Sequence, residues 1–380
     1  MSTLSRGLLH AFHRLTKLHE WYNSKLAASV TSLHVESDGA GVLLLLERAL
    51  EDGVTFLELN HLSLKLETTR AGFTDGMSFD LGGFLHHFRC ATLTLTLHPP
   101  ISSWPIYESG PLFGAMTTEP IWLFQLNRSS LSGLPSPAEL NLVEPSLVVV
   151  SALMPSMAPT LTSLKLSFEE GDRSVGVGPL FDEIAKSLGA ANNLKHLSVD
   201  TPFEFYQEPG PYLEPKESNA VLASLISTTH KLESFELRSH YEPELALLRA
   251  LPETLRTFTY EATWPHIIEE DERSIYSLWQ TVCEWLGKDG SAPSLSCLEI
   301  WGESPMSEEW REEQHQLLIE DFVKLCGKRQ INSRSAEMYA EWIRDDEEMR
   351  EEAAMHDDPL YHLEMLNACG GSDCECGCCL

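Results

Sequence analysis

The chain has 380 residues, 57 acidic and 27 basic, giving a formal net charge of -30, and 43% of its residues are hydrophobic. The charge excludes the concentrated basic surface that nucleic-acid binding requires. No uncharged apolar stretch reaches the roughly 18 residues that span a bilayer.

Residues 1–29 are read as an N-terminal helical cap. Leu8, Leu9, Phe12, Leu15 and Leu18 lie at helical spacing, with Arg6, Arg14 and Lys17 and no acid before them. A mitochondrial presequence shares that composition, but a helix packing its apolar face on the first unit explains it as well. After Val30 to Val35 the periodicity predicts a helix over Gly41 to Leu50 and a strand near Leu59 to Leu66. A helix from Leu81 to Phe88 then leads into a strand from Ala91 to Leu97. Later pairs are Leu147 to Met154 with Leu161 to Phe168, Leu180 to Leu188 with Leu194 to Val199, and Ala220 to Thr228 with Leu232 to Leu237. The last are Leu245 to Leu251 with Leu255 to Tyr260, and Ile275 to Leu286 with Leu295 to Ile300.

The strands carry a triplet of the form Leu-x-x-Leu-x-Leu, clearest at Leu161, Leu164 and Leu166, with related apolar triplets such as Leu232, Phe235 and Leu237 elsewhere. Alternating helices and strands imply a parallel sheet, and stacked units share one core whatever the chain length. The expected fold is therefore α/β: a solenoid, or horseshoe, with a parallel concave sheet and helices on the convex side. The irregular array runs over 30–331, with 101–137 as a degenerate repeat, worn around Leu123 to Leu126, or an insertion.

These triplets resemble the leucine-rich repeat superfamily in its ribonuclease-inhibitor-like form, and more narrowly the irregular fungal F-box and leucine-rich repeat proteins. Leu317 to Ile331, with Cys326, Arg329 and Ile331, resembles the final helix and Cys-x-x-Arg-x-Ile ending of such proteins. The resemblance implies an adaptor that presents a substrate to a ubiquitin ligase. No F-box is recognisable: the stretch before Val30 is shorter than one, and Leu4 to Leu18 lacks the Leu-Pro opening.

Alternate strand residues point away from the core. That places Lys165, His196, Arg238 and Trp301 on the concave face, among mostly small polar neighbours. Segments following the strands are rich in proline and aromatics and would leave one end of the sheet. Trp104, Tyr107, Phe203, Phe205, Tyr206, Tyr212, Tyr241 and Trp264 are the partner-binding candidates there, because aromatic side chains anchor interfaces at small entropic cost.

An acidic helix is expected over 332–366, and a cysteine-rich disordered tail over 367–380. Cys374, Cys376, Cys378 and Cys379 are candidate ligands for zinc or copper, since thiolates suit soft metals. The same thiols could carry acyl chains and tether the protein peripherally to a membrane. Cys90, Cys283, Cys297 and Cys326 fall at apolar positions and read as buried hydrophobes. No nucleophile elbow, P-loop or HExxH motif occurs. The expectation is a non-enzymatic scaffold without a cofactor, cytoplasmic or nuclear, that binds a protein partner; the alternative acts through the cysteine tail as a metal-binding or lipid-tethered protein.

Overall fold

A computed structural model describes residues 28–37, 40–51, 53–67, 79–98, 124–125, 134–145, 147–168, 177–189, 193–201, 215–239, 242–262, 274–288, 291–301 and 313–357. The main sheet contains β1 (Ser32–Ser37), β2 (His61–Glu67), β4 (Thr92–His98), β6 (Glu139–Val143), β7 (Ser163–Ser167), β8 (His196–Thr201), β9 (Ser234–Ser239), β10 (Thr257–Ala262) and β11 (Cys297–Trp301). These nine pair in chain order, all parallel, in an open sheet. A separate two-stranded sheet joins β3 (Phe79–Asp80) to β5 (Phe124–Gln125).

Helices connect the strands: α1 (Ala40–Glu51), α2 (Leu81–His86), α3 (Leu147–Met157), α4 (Val177–Leu188), α5 (Pro215–Ser227), α6 (Leu245–Ala250) and α7 (Ser274–Gly287). After β11 come α8 (Glu313–Arg329) and α9 (Arg334–Asp357). In α4, Leu180, Phe181, Ile184, Ala185 and Leu188 are buried, which is the stripe a one-sided helix needs.

Two rows of strand residues form the sheet's share of the core. One runs from Leu33 through Leu62, Leu93, Leu140 and Leu164 to Leu298, and the other from Val35 through Leu64, Leu142 and Leu166 to Ile300. None of these is more than 2% exposed. The opposite face has no fully buried residue at its alternating positions from Ser32 to Trp301, so the helices lie on one side only. Packed helices sit about 8–10 Å apart and strands about 4.8 Å apart. The helical layer is therefore the longer one, and the sheet curves with its free face concave.

A second signature of repetition lies in the backbone just before each strand. His61 and Asn60 both donate to Thr31 O; Thr92 and Ala91 both donate to Asn60 O; Glu139 and Ala138 both donate to Ala91 O. The same doubled bond recurs on Ala138, Thr162, Lys195, Glu233 and Arg256. One turn geometry thus opens each strand, although successive turns are separated by anything from 23 residues (Glu233 to Arg256) to 47 (Ala91 to Ala138).

Within the stretch read as a degenerate repeat or an insertion, Phe124–Gln125 pairs with Phe79–Asp80 and not with a strand of the main sheet. The unit between β4 and β7 is β6, where Leu140 and Leu142 are buried and Pro137, also buried, stands at the position of the triplet's first leucine. Proline is tolerated because that position precedes the strand, where no ladder N–H is needed.

The C-terminal end of the sheet is closed by a short continuation of the chain. Asn332 forms one parallel bridge with Cys297 and accepts from Leu298 N at 3.0 Å, and Ser335 Oγ accepts from Ile300 N at 2.9 Å. An edge strand otherwise presents unpaired N–H groups to other chains. From there α9 crosses the end of the core, burying Ala336 and Tyr339; the Tyr339 ring meets Trp279 at 5.0 Å and Trp342 at 5.3 Å.

Candidate functional site

The register sorts the concave face into three rows that cross all nine strands. The middle row reads His34, Ser63, Thr94, Asn141, Lys165, Ser198, Glu236, Thr259 and Glu299. The row toward the strand starts includes Glu139, Ser163, His196 and Ser234. The row toward the strand ends includes Glu36, Lys65, Ser167, Asp200, Arg238, Glu261 and Trp301. Strand spacing fixes neighbours in a row at about 4.8 Å, and the buried rows on either side hold that spacing.

Most charges on this face are used within it. Lys65 Nζ lies 3.1 Å from Glu36 Oε1. Arg238 sits between two carboxylates, 3.7 Å from Asp200 Oδ2 and 3.4 Å from Glu261 Oε1. Glu139 accepts from the Thr92 hydroxyl at 2.9 Å, and Thr94 Oγ1 accepts from Asn141 Nδ2 at 3.1 Å. Glu299, at the end of the middle row, accepts from Arg334 N and Ser335 N, both at 2.9 Å. It thereby caps α9, where a carboxylate also complements the helix dipole.

Asp200 is the electrostatically unusual member. Its Oδ1 is buried without a hydrogen-bond partner. Burial pushes its carboxyl above the ordinary value, the Arg238 and Lys165 charges pull it back, and Glu236 adds to the rise.

Of the residues expected to bind a partner, Lys165, His196, Arg238 and Trp301 are described, and all four lie on this face. Lys165 and Arg238 stand on strands two apart, in adjacent rows; His196 lies in the third row, on the strand between them; and Trp301 lies on β11 beside Glu261. Trp104, Tyr107, Phe203, Phe205, Tyr206, Tyr212, Tyr241 and Trp264 fall outside the described residues. So do Cys374, Cys376, Cys378 and Cys379. Among the described residues no group of three or more His, Cys, Asp or Glu side chains could hold a metal ion, and no helix is long and apolar enough to cross a membrane.

Among the face residues that escaped the sequence reading, Glu139 and Asn141 did so because the triplet of β6 begins with proline; Asp200 follows the third apolar position of its triplet as Arg238 does in β9, so the same period of two reaches it. The alternation Glu139, Leu140, Asn141, Leu142 was the available signal.

The chain matches no protein-family model and no curated protein. What fold and surface define together is an α/β repeat solenoid with an open, nine-stranded parallel sheet whose free face is polar.

Proposed function

We propose that the chain is a non-enzymatic recognition scaffold of the leucine-rich repeat type, ribonuclease-inhibitor-like, that binds a protein on its concave sheet face. The aromatic segments following the strands extend the same site, and an F-box-like substrate adaptor without its F-box is the narrower form of the reading. The observation that carries it is the concave face itself: three rows cross nine strands, and none of their residues is fully buried. Their side chains are mostly small and polar. A surface of that extent suits a macromolecular contact better than a small ligand, which requires a concave apolar pocket. The four described cysteines are free thiols, which supports a reducing compartment, cytoplasmic or nuclear.

The test is site-specific photo-cross-linking in cells, with a benzophenone side chain placed at Ser198 on the concave face or at Ser224, exposed on α5. A partner protein joined from Ser198 and absent from Ser224 is expected. Equal yields from the two positions, or none from Ser198, would refute the reading.

A further inference from the structure

Two charged side chains on the concave face are left over from its internal pairing. Lys65, Asp200, Arg238 and Glu261 are held in ion pairs, Glu36 is paired with Lys65, Glu139 bonds Thr92, and Glu299 caps α9. Among the described residues, Lys165 and Glu236 make no hydrogen bond or ion pair, and both are exposed. They stand in the same row with only Ser198 between them. We propose that Lys165 and Glu236 form a two-point charge clamp for a protein helix that carries an acidic and a basic side chain two turns apart.

The geometry selects the helix. Two strand steps separate the Cα atoms of Lys165 and Glu236 by about 9.5 Å. Same-face residues of an extended segment recur at about 6.8 and 13.6 Å, both farther from that spacing. Residues seven apart on a helix are separated by about 10.5 Å, close to the clamp spacing. Ser198 in the row, Ser163 and Ser167 beside Lys165, and Ser234 beside Glu236 are small enough for a helix to settle between the charges. Opposite signs make the clamp selective: a helix with two like charges meets one attraction and one repulsion.

This inference rests on the concave face being the docking surface, and it is tested separately from it. A phage-displayed library of single helices, randomised at its solvent positions, is selected on the full chain. Enriched helices are expected to carry Asp or Glu seven residues from Lys or Arg. Their affinity should fall about fivefold on Lys165→Glu or on Glu236→Lys, the scale of one exposed ion pair lost or reversed. Reselection on Lys165→Glu should enrich two basic residues at that spacing, and on Glu236→Lys two acidic ones. The neutral variants Lys165→Gln and Glu236→Gln give the same ranking should a reversed variant fold poorly. Enrichment without that charge spacing, or affinities indifferent to both positions, overturns the clamp. If Ser198 still cross-links a partner in that case, the docking face stands and the clamp alone falls; if it does not, both fall.

Discussion

Replacing Arg329 with alanine removes the tie between the end of α8 and the segment that joins α7 to β11. Its Nη1 donates to Leu286 O at 3.2 Å and to Ser291 Oγ at 3.1 Å; its Nη2 donates to Ser291 O and to Ala292 O at 3.0 Å. One acceptor closes α7, and Ala292 adopts a φ of 37, a left-handed conformation that costs a residue with a Cβ about 1–2 kcal/mol. Four bonds at about 0.5–1.5 kcal/mol net each would sum to about 2–6 kcal/mol, and water reaching this half-buried site lowers the loss to about 2–4 kcal/mol. Arg329→Lys keeps the charge but not the fork, so it should lose about half as much. Urea unfolding followed by circular dichroism and by tryptophan fluorescence measures both variants. Trp279 and Trp285 lie in the affected unit, so the fluorescence transition should move to lower urea before the dichroism does, as expected where stability is a sum over neighbouring repeats. An alanine variant within about 0.5 kcal/mol of the parent would refute the reasoning, because that is the range of an uninvolved surface site.

Two further perturbations probe the core and the face. Burial pushes the thiols of Cys90 to about 11 and of Cys283 and Cys326 to about 12, so mapped alkylation at pH 8 should leave all three unmodified in the native protein and label them in urea; prompt native labelling of Cys90 would contradict the packing around it. The Asp200 carboxyl is raised in the fold, so its contribution to stability is fully present below the unfolded value, about 3.9, and is lost as pH rises through the folded value. Asp200→Asn lacks that titration and should gain stability relative to the parent as pH rises above about 4, measured as the difference in urea midpoints. Parallel pH profiles for the two proteins would remove the desolvation argument.

The strands and helices were legible wherever an apolar triplet followed an amphipathic run, because Leu164 and Leu166 are bound to point into the core once Ser163, Lys165 and Ser167 are polar. The unit at β6 was not, since Pro137 replaces the residue that opens the pattern; its doubled bond on Ala91 O and its pairing with β4 and β7 reveal it. The face positions of Lys165, His196 and Arg238 followed from the period of two. Which charges cancel did not, because Arg238 meets Asp200 and Glu261 from strands 38 and 23 residues away in the chain, and register is what joins them. The Cys326, Arg329 and Ile331 ending was visible as a spelling, whereas its work was not: Ile331 N returns to Cys326 O at 2.9 Å while Arg329 reaches back across the preceding unit.

The end of the array also constrains what the face can do. Glu299 occupies a middle-row position, yet both of its oxygens are taken by the first N–H groups of α9. Its acceptor oxygens are thus already engaged by the helix start, which leaves Thr259 as the last middle-row side chain not tied to α9. At the other end, His34 Nδ1 and Ser63 Oγ are 2.8 Å apart, which satisfies each locally. The unspent charges therefore fall near the centre of the sheet, on β7 and β9, where strands on both sides fix their separation. The backbone positions that carry the clamp cannot move apart without breaking the ladder, so selectivity for a partner should reside in the spacing and sign of the partner's charges more than in their number.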